Sequence, residues 1–139
     1  MVASLSLSAD TRSTAGLLLL TVVAVESGGL FLLRVLRGSQ PATPFQQAFA
    51  RAGHAHAGVL VILALVGQIL ADAASLRGLG SFLARTGIWA AAILMSAGFF
   101  LSSAGRDVTR PNRLIALVYA GAVSLALGVV ALGIGLLAA

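Results

Sequence analysis

The sequence contains no cysteine and no lysine, and its charged residues are few. Without cysteine there can be no disulfide, no thiolate nucleophile and no cysteine-ligated metal site. Charged residues make up 9% of the 139 residues, whereas roughly a quarter is usual in a soluble domain. Hydrophobic residues reach 59%. This balance predicts a membrane protein. A length of 139 residues leaves no room for a second domain.

The net charge is +5, and all of the positive charge at pH 7 comes from arginine because the chain has no lysine. In a soluble chain such a basic balance would suggest a nucleic-acid ligand. Here the arginines separate hydrophobic runs instead. We therefore predict contacts with the anionic headgroups of a lipid bilayer, and no nucleic-acid partner.

Four hydrophobic runs are long enough to cross a bilayer, which takes about 20 residues. They cover roughly residues 14–36, 44–74, 84–105 and 110–138. In hydrocarbon each must be a helix, because only a helix satisfies its own backbone groups. The connecting loops are short, so neighbouring helices should run antiparallel. The expected fold is an all-α, up-down four-helix bundle that forms one integral membrane domain over residues 1–139.

The arginines also predict the orientation of the bundle. Three of them, Arg12, Arg77 and Arg85, belong to the end that carries the termini and loop two. The other six flank loops one and three: Arg34, Arg37, Arg51, Arg106, Arg110 and Arg113. Because positive charge favours the cytoplasmic side, we expect loops one and three in the cytoplasm and both termini outside, in a bacterial-type inner membrane.

Unusual side chains recur at a similar depth in all four runs. Counted from the nearest arginine at 1.5 Å per residue, Glu26 lies roughly 12 Å deep, His56 roughly 7 Å and Tyr119 roughly 9 Å. Phe99 and Phe100 lie roughly 10 Å deep by the same count. All are measured from the face that carries loops one and three. This layer predicts a pocket that opens toward those loops.

Ionisable groups inside a membrane are costly and therefore candidates for function. Glu26 and Tyr119 are the candidate catalytic groups. Each has a structural alternative: Glu26 as a pairing partner that holds the bundle together, and Tyr119 as an interfacial aromatic residue. Asp72 is expected to form an ion pair with Arg77 at the end of the second helix.

The two histidines, His54 and His56, are two positions apart, which on a helix is a rotation of about 200°. They therefore cannot chelate one metal ion together. A haem needs only one axial imidazole, and small residues beside His56, among them Gly53 and Gly58, suit a flat macrocycle. His54 faces elsewhere and is available to a propionate, a substrate or a partner subunit. The alternative is that both are interfacial polar residues.

The chain resembles a small family of four-span membrane proteins, the styrene oxide isomerases, with the hydroxylaminobenzene mutases as more distant relatives. The segment "HAHAG" at 54–58 is similar to the family's Arg-Ala-His-Ser-Gly. The segment "MSAGFFLSS" at 95–103 is similar to Ser-Asn-Val-Gly-Phe-Tyr-Leu-Phe-Ser, and "RPNR" at 110–113 contains the family's Pro-Asn-Arg. The matching segments follow one another in order, from the second helix to the start of the fourth.

The resemblance implies a haem b cofactor with His56 as the axial ligand and Gly58 at the family's glycine. Gly53, and His54 as a partner for a propionate, complete the expected cofactor-binding residues. It further implies that ferric haem acts as a Lewis acid on the oxygen of an epoxide, which then rearranges to an aldehyde. Ile62 and Phe100 stand where the family has asparagine and tyrosine, so the substrate contacts should differ. We expect these substrate-pocket residues: Phe99, Phe100, Ile62 and Asn112.

Small residues recur every four positions in the fourth run, at Ala120, Ser124 and Gly128. They allow close helix contact, either within one bundle or between copies. Because the isomerase family builds its site at subunit interfaces, we expect a homo-oligomer, with a trimer as the first expectation. The competing function is a non-catalytic accessory or assembly subunit that binds a partner protein. A small transporter is a third possibility, against which the lack of an internal repeat argues.

Overall fold

The computed structural model describes residues 6–139, and within that range it contains four long helices and no strand. Each helix is long and apolar enough to cross a membrane. The helices are α1 (Ala9–Leu36), α2 (Pro44–Ala73), α3 (Gly78–Ser102) and α4 (Ala116–Ala138). The predicted all-α four-helix membrane bundle is confirmed. The protein is therefore an integral membrane protein.

The starts of three helices differ from the sequence expectation. Helix α1 begins at Ala9 rather than at residue 14, because the hydroxyl of Ser8 accepts a hydrogen bond from the backbone of Thr11 at 3.2 Å and caps the first turn. Helix α3 begins at Gly78 rather than at residue 84. Helix α4 begins later than expected, because a short 3₁₀ helix, Arg113–Ile115, precedes it.

The start of α2 joins loops one and three. Thr43 and Gln46 form a reciprocal capping box. The amide of Gln46 also donates to the backbone carbonyls of Ser103 at 3.0 Å and Gly105 at 2.9 Å. The hydroxyl of Thr43 donates to the carbonyl of Val108 at 2.5 Å. The N-terminus of α2 therefore fixes loop three against loop one.

Helix α3 is the centre of the bundle and packs against both α4 and α2, while α1 packs mainly against α2. The most deeply buried residues are small or compact, and the helices therefore approach one another closely. Such close contact is common in membrane proteins, where van der Waals packing and not the hydrophobic effect holds helices together. Residues no more than 1% exposed include Ala64, Ala71, Ala84, Ile88 and Ala91. Helix α1 is the least enclosed of the four helices, since little of its apolar stretch is buried.

Glycines bring α3 and α4 into backbone contact. A Cβ added to Gly87 would lie 2.8 Å from the Cα of Gly128. The hydroxyl of Ser124 donates to the carbonyl of Gly87 at 2.9 Å across the same contact. Two of the small residues noticed in the fourth run are therefore used inside one protomer, while Ala120 is exposed.

A polar cluster at the opposite end from loops one and three ties three helices together. The Arg85 guanidinium lies 2.6 Å from a carboxylate oxygen of Asp72 and donates to the hydroxyl of Thr11 at 2.8 Å. The backbone and hydroxyl of Ser8 donate to the same carboxylate, at 2.9 and 3.0 Å. The prediction that Asp72 pairs with Arg77 was wrong, because its partner is Arg85. Arg77 is exposed at the start of α3, whereas Arg85, two turns further along, lies beside Asp72.

We expect Gly87→Ala to lower the melting temperature of the purified protein in detergent. The new methyl group would force the α3 and α4 backbones apart, and overpacking of this kind costs about 1–3 kcal/mol. The matched control is Gly133→Ala, because Gly133 lies on α4 and a Cβ added there would have no neighbour within 4 Å. Equal effects of the two substitutions would contradict the close contact described here.

We expect Asp72→Asn to destabilise the protein by about 1.5–3 kcal/mol, the usual contribution of hydrogen bonds to a charged group. The measurement is thermal unfolding in detergent, with Arg77→Gln as the control. Limited proteolysis should also show earlier cleavage near the start of α1, because Ser8 and Thr11 lose their anchor. If Arg77→Gln were as harmful as Asp72→Asn, the pairing of Asp72 with Arg85 would not be the stabilising contact.

Candidate functional site

His54 and His56 lie on opposite sides of α2. The ring of His54 packs against α1, where a Cβ added to Gly28 would lie 3.3 Å from its Nδ1 and one on Gly29 would lie 3.4 Å from its Cε1. The ring of His56 packs instead against Phe99 of α3, with ring centroids 5.0 Å apart. This division agrees with the rotation of about 200° between positions i and i+2 of a helix.

The protonation pattern of neutral His56 follows from its hydrogen bond. Its Nδ1 lies 2.7 Å from the carbonyl oxygen of Ala52, one turn earlier in α2. A carbonyl oxygen only accepts, so Nδ1 must carry the hydrogen, and Nε2 keeps its lone pair. An Nδ1–H bonded to a backbone carbonyl is a common arrangement for a histidine that ligates a metal through Nε2.

Phenylalanine rings extend the surface around His56. The Phe45 and Phe49 centroids are 4.2 Å apart, and Phe49 meets Phe99 edge to face at 5.5 Å. We call Phe45, Phe49, Phe99 and His56 the aromatic cluster. Its residues are all half-buried. The cluster offers an apolar surface beside one imidazole whose Nε2 is free to bind.

The two glycines expected beside the cofactor have different surroundings. A Cβ on Gly53 would lie 2.9 Å from the ring of Phe100 and 3.1 Å from the Cβ of Phe99. The missing side chain of Gly53 therefore lets α3 approach α2 and does not leave space for a ligand. Gly58, by contrast, has no neighbour within 4 Å of an added Cβ.

A cavity of about 240 Å³ lies on the His54 side of α2, between α1, α2 and α3. We call it the lateral cavity. Its exposed lining residues, Thr21 and Ala24 of α1 and Ile93 of α3, mark an open side between these two helices. The lining is Leu18, Thr21, Ala24, Val25, Gly28, His54, Ala57, Val61, Trp89, Ala92, Ile93, Ser96 and Phe100. Sequence reasoning missed this cavity, although Thr21 and Ser96 are polar residues within apolar runs.

A second cavity, also of about 240 Å³, lies under loops one and three. We call it the loop cavity. Gln40, Gln46 and Ser103 line it, and so does Phe100, which also lines the lateral cavity. A pocket on the loop side was expected, but neither histidine lines this one. The ring of Phe100 is the side chain that both cavities share.

The remaining predicted site residues are not gathered in one pocket of the protomer. Glu26 of α1 is exposed, as are Ile62 and Tyr119, at 63% and 66%. The side-chain amide of Asn112 is already hydrogen-bonded to the backbone. Its Nδ2 donates to the carbonyl of Leu101 at 3.0 Å, and its Oδ1 accepts from the backbone of Leu114 at 2.8 Å. Asn112 therefore anchors the start of α4.

Comparisons with protein-family models, with curated proteins and with solved structures found no match for this chain. Among residues 6–139, no three histidine, aspartate or glutamate side chains come together around a position for a metal ion.

We expect Phe100→Ala to connect the loop cavity with the lateral cavity. Because the chain has no cysteine, Ser96→Cys introduces a single thiol in the lateral cavity that reports on access from water. In proteoliposomes, a water-soluble maleimide should label this thiol several-fold faster when Phe100→Ala is added. The control is Phe99→Ala, whose ring belongs to the aromatic cluster. Unchanged labelling with Phe100→Ala would show that its ring does not separate the two cavities.

Proposed function

We propose that this protein binds haem b through His56 and is a membrane enzyme of the isomerase type. The observation that carries the proposal is the hydrogen bond from Nδ1 of His56 to the carbonyl of Ala52, which leaves Nε2 free for iron. The resemblance of "HAHAG" and the following segments to the styrene oxide isomerases points to the same residue.

The surroundings of His56 fit one face of a macrocycle. The imidazole is half-buried, small Ala52 precedes it by one turn, and Phe99 packs beside it. His56 lines neither the lateral cavity nor the loop cavity, so the space for a macrocycle would have to form against a second copy of the chain. We therefore propose a homo-oligomer, with a trimer as the first candidate, in which haem sits where two copies meet.

When bound, haem iron would supply a Lewis acid that polarises the oxygen of a small apolar substrate such as an epoxide. The residues of this chain would hold and shield that centre. His56 would anchor the iron, and Phe99 and Phe49 would exclude water from the reacting carbon. Phe100 and Ile62 replace polar residues of the resembled family, which favours a substrate with fewer hydrogen-bonding groups.

Glu26 and Tyr119 are proposed as catalytic groups only across a boundary between copies. They stand exposed on α1 and α4, which are not principal packing partners within the protomer. A neighbouring copy would have to bring either side chain to the haem face. We also propose that loops one and three face the cytoplasm of a bacterial-type inner membrane, on the strength of the arginine distribution.

A second candidate function is a non-catalytic subunit that binds a partner protein. The exposed Glu26 favours it, because a carboxylate on the lipid-facing side of a membrane helix is costly unless another group covers it. In this alternative, Glu26 would meet a cationic or hydrogen-bonding group of the partner, and His56 would be an interfacial polar residue.

The deciding experiment is an absorption spectrum of the protein purified in detergent after expression with excess haem precursor. We expect a Soret band that His56→Ala reduces by more than about tenfold, since even groups that only orient a metal ligand contribute that much. His54→Ala is the matched control, two residues away on the opposite side of α2, and should keep the band. A colourless wild-type protein would favour the partner-binding alternative.

A further inference from the structure

The lateral cavity has a polar feature that packing within the protein does not explain. Among residues 6–139, the hydroxyl oxygen of Ser96 is the buried side-chain polar atom without a hydrogen-bond partner. Hydroxyls in helices usually bond back to a carbonyl three or four residues earlier. Those of Thr21, Ser27 and Thr86 do so here, at 2.6–2.7 Å. Ser96 lines the lateral cavity, and its unsatisfied hydroxyl is buried in the wall of that cavity.

The rest of the lining is almost entirely apolar, with one imidazole in it. Trp89, Val61 and Ala92 surround the space, and His54 contributes its ring. Gly28 and Gly29 accommodate this ring, because a Cβ at either position would lie within 3.4 Å of it. Most small-molecule sites have the same composition, an apolar wall with a few polar groups that orient the ligand.

We propose that the lateral cavity is a binding site for a small apolar molecule that carries one hydrogen-bonding oxygen, which Ser96 recognises. An apolar cavity of about 150 Å³ holds benzene, so a cavity of about 240 Å³ holds a molecule of roughly ten non-hydrogen atoms. Aromatic alcohols, ketones and ethers have this size and chemistry. The unpaired hydroxyl of Ser96 would donate to the ligand oxygen.

The ligand would reach this site from the bilayer. The exposed rim residues, Thr21 and Ala24 on α1 and Ile93 on α3, lie within the membrane-spanning helices. Apolar molecules concentrate in the hydrocarbon region, so a lateral opening gives them direct access. The site lies across α2 from His56, and its existence does not depend on haem.

Trp89 provides the readout, because it is the single tryptophan of the chain and lines the cavity. We would titrate the full-length protein in lipid nanodiscs with 4-bromobenzyl alcohol, whose bromine quenches tryptophan fluorescence on contact. The matched probe is 4-bromotoluene, which lacks the hydroxyl group. We expect saturable quenching by both, with the alcohol bound roughly three- to tenfold more tightly after correction for partitioning into lipid.

Two substitutions test the location and the polar contact. Ala57→Leu should abolish saturable quenching, because Ala57 lines the cavity, whereas Ala55→Leu on the exposed side of α2 should leave it unchanged. Ser96→Ala should remove the preference for the alcohol and keep binding of 4-bromotoluene. Ser27→Ala, at a hydroxyl already bonded to the carbonyl of Ala24, is its control.

Quenching that rises linearly and equally in wild type and Ala57→Leu would overturn the proposal, because it would mean that the probe only dissolves in the lipid. Saturable binding with no preference for the alcohol would overturn the role of Ser96. The same titration with His56→Ala should give an unchanged affinity. The outcome is thus separate from that of the haem spectrum, and either proposal can fail without the other.

Discussion

The ion pair between Asp72 and Arg85 is the contact on which the position of α1 depends. Helix α1 buries little of its own surface, so apolar packing alone holds it weakly. Asp72 and Arg85 together bind Ser8 and Thr11 at the start of α1. Both charged side chains are partly shielded, at 14% exposed for Asp72 and 23% for Arg85. The cluster thus holds the start of α1 against the end of α2 and the first turns of α3.

Helix α2 separates two chemically different sides of the protein. On one side His54 adjoins an apolar cavity, and on the other His56 belongs to a surface of phenylalanine rings. The rotation between the two positions produces this separation without any irregularity in the helix. Gly53 keeps α3 close to α2 between the two sides. The protein therefore holds its two imidazoles apart, in surroundings of different shape and composition.

Features that depend on neighbouring residues were predictable from the sequence. Composition and run length predict the four helices, and the second run, 44–74, begins at the residue where α2 begins, Pro44. The opposite directions of the two histidines follow from helical periodicity. The Asp72 pairing and the lateral cavity were not predictable, because both depend on how distant segments meet. The role of Gly53 was misjudged for the same reason, since small size serves a ligand or a neighbouring helix equally well.

Phe100 stands where two hollows and one helix contact meet. It lines both the cavity that opens between α1 and α3 and the one beneath the loops. Its ring also fills the place where Gly53 of α2 lacks a side chain, 2.9 Å from the position that a Cβ would take. A change in the size of this one aromatic residue would therefore alter both hollows and the spacing of α2 and α3 together.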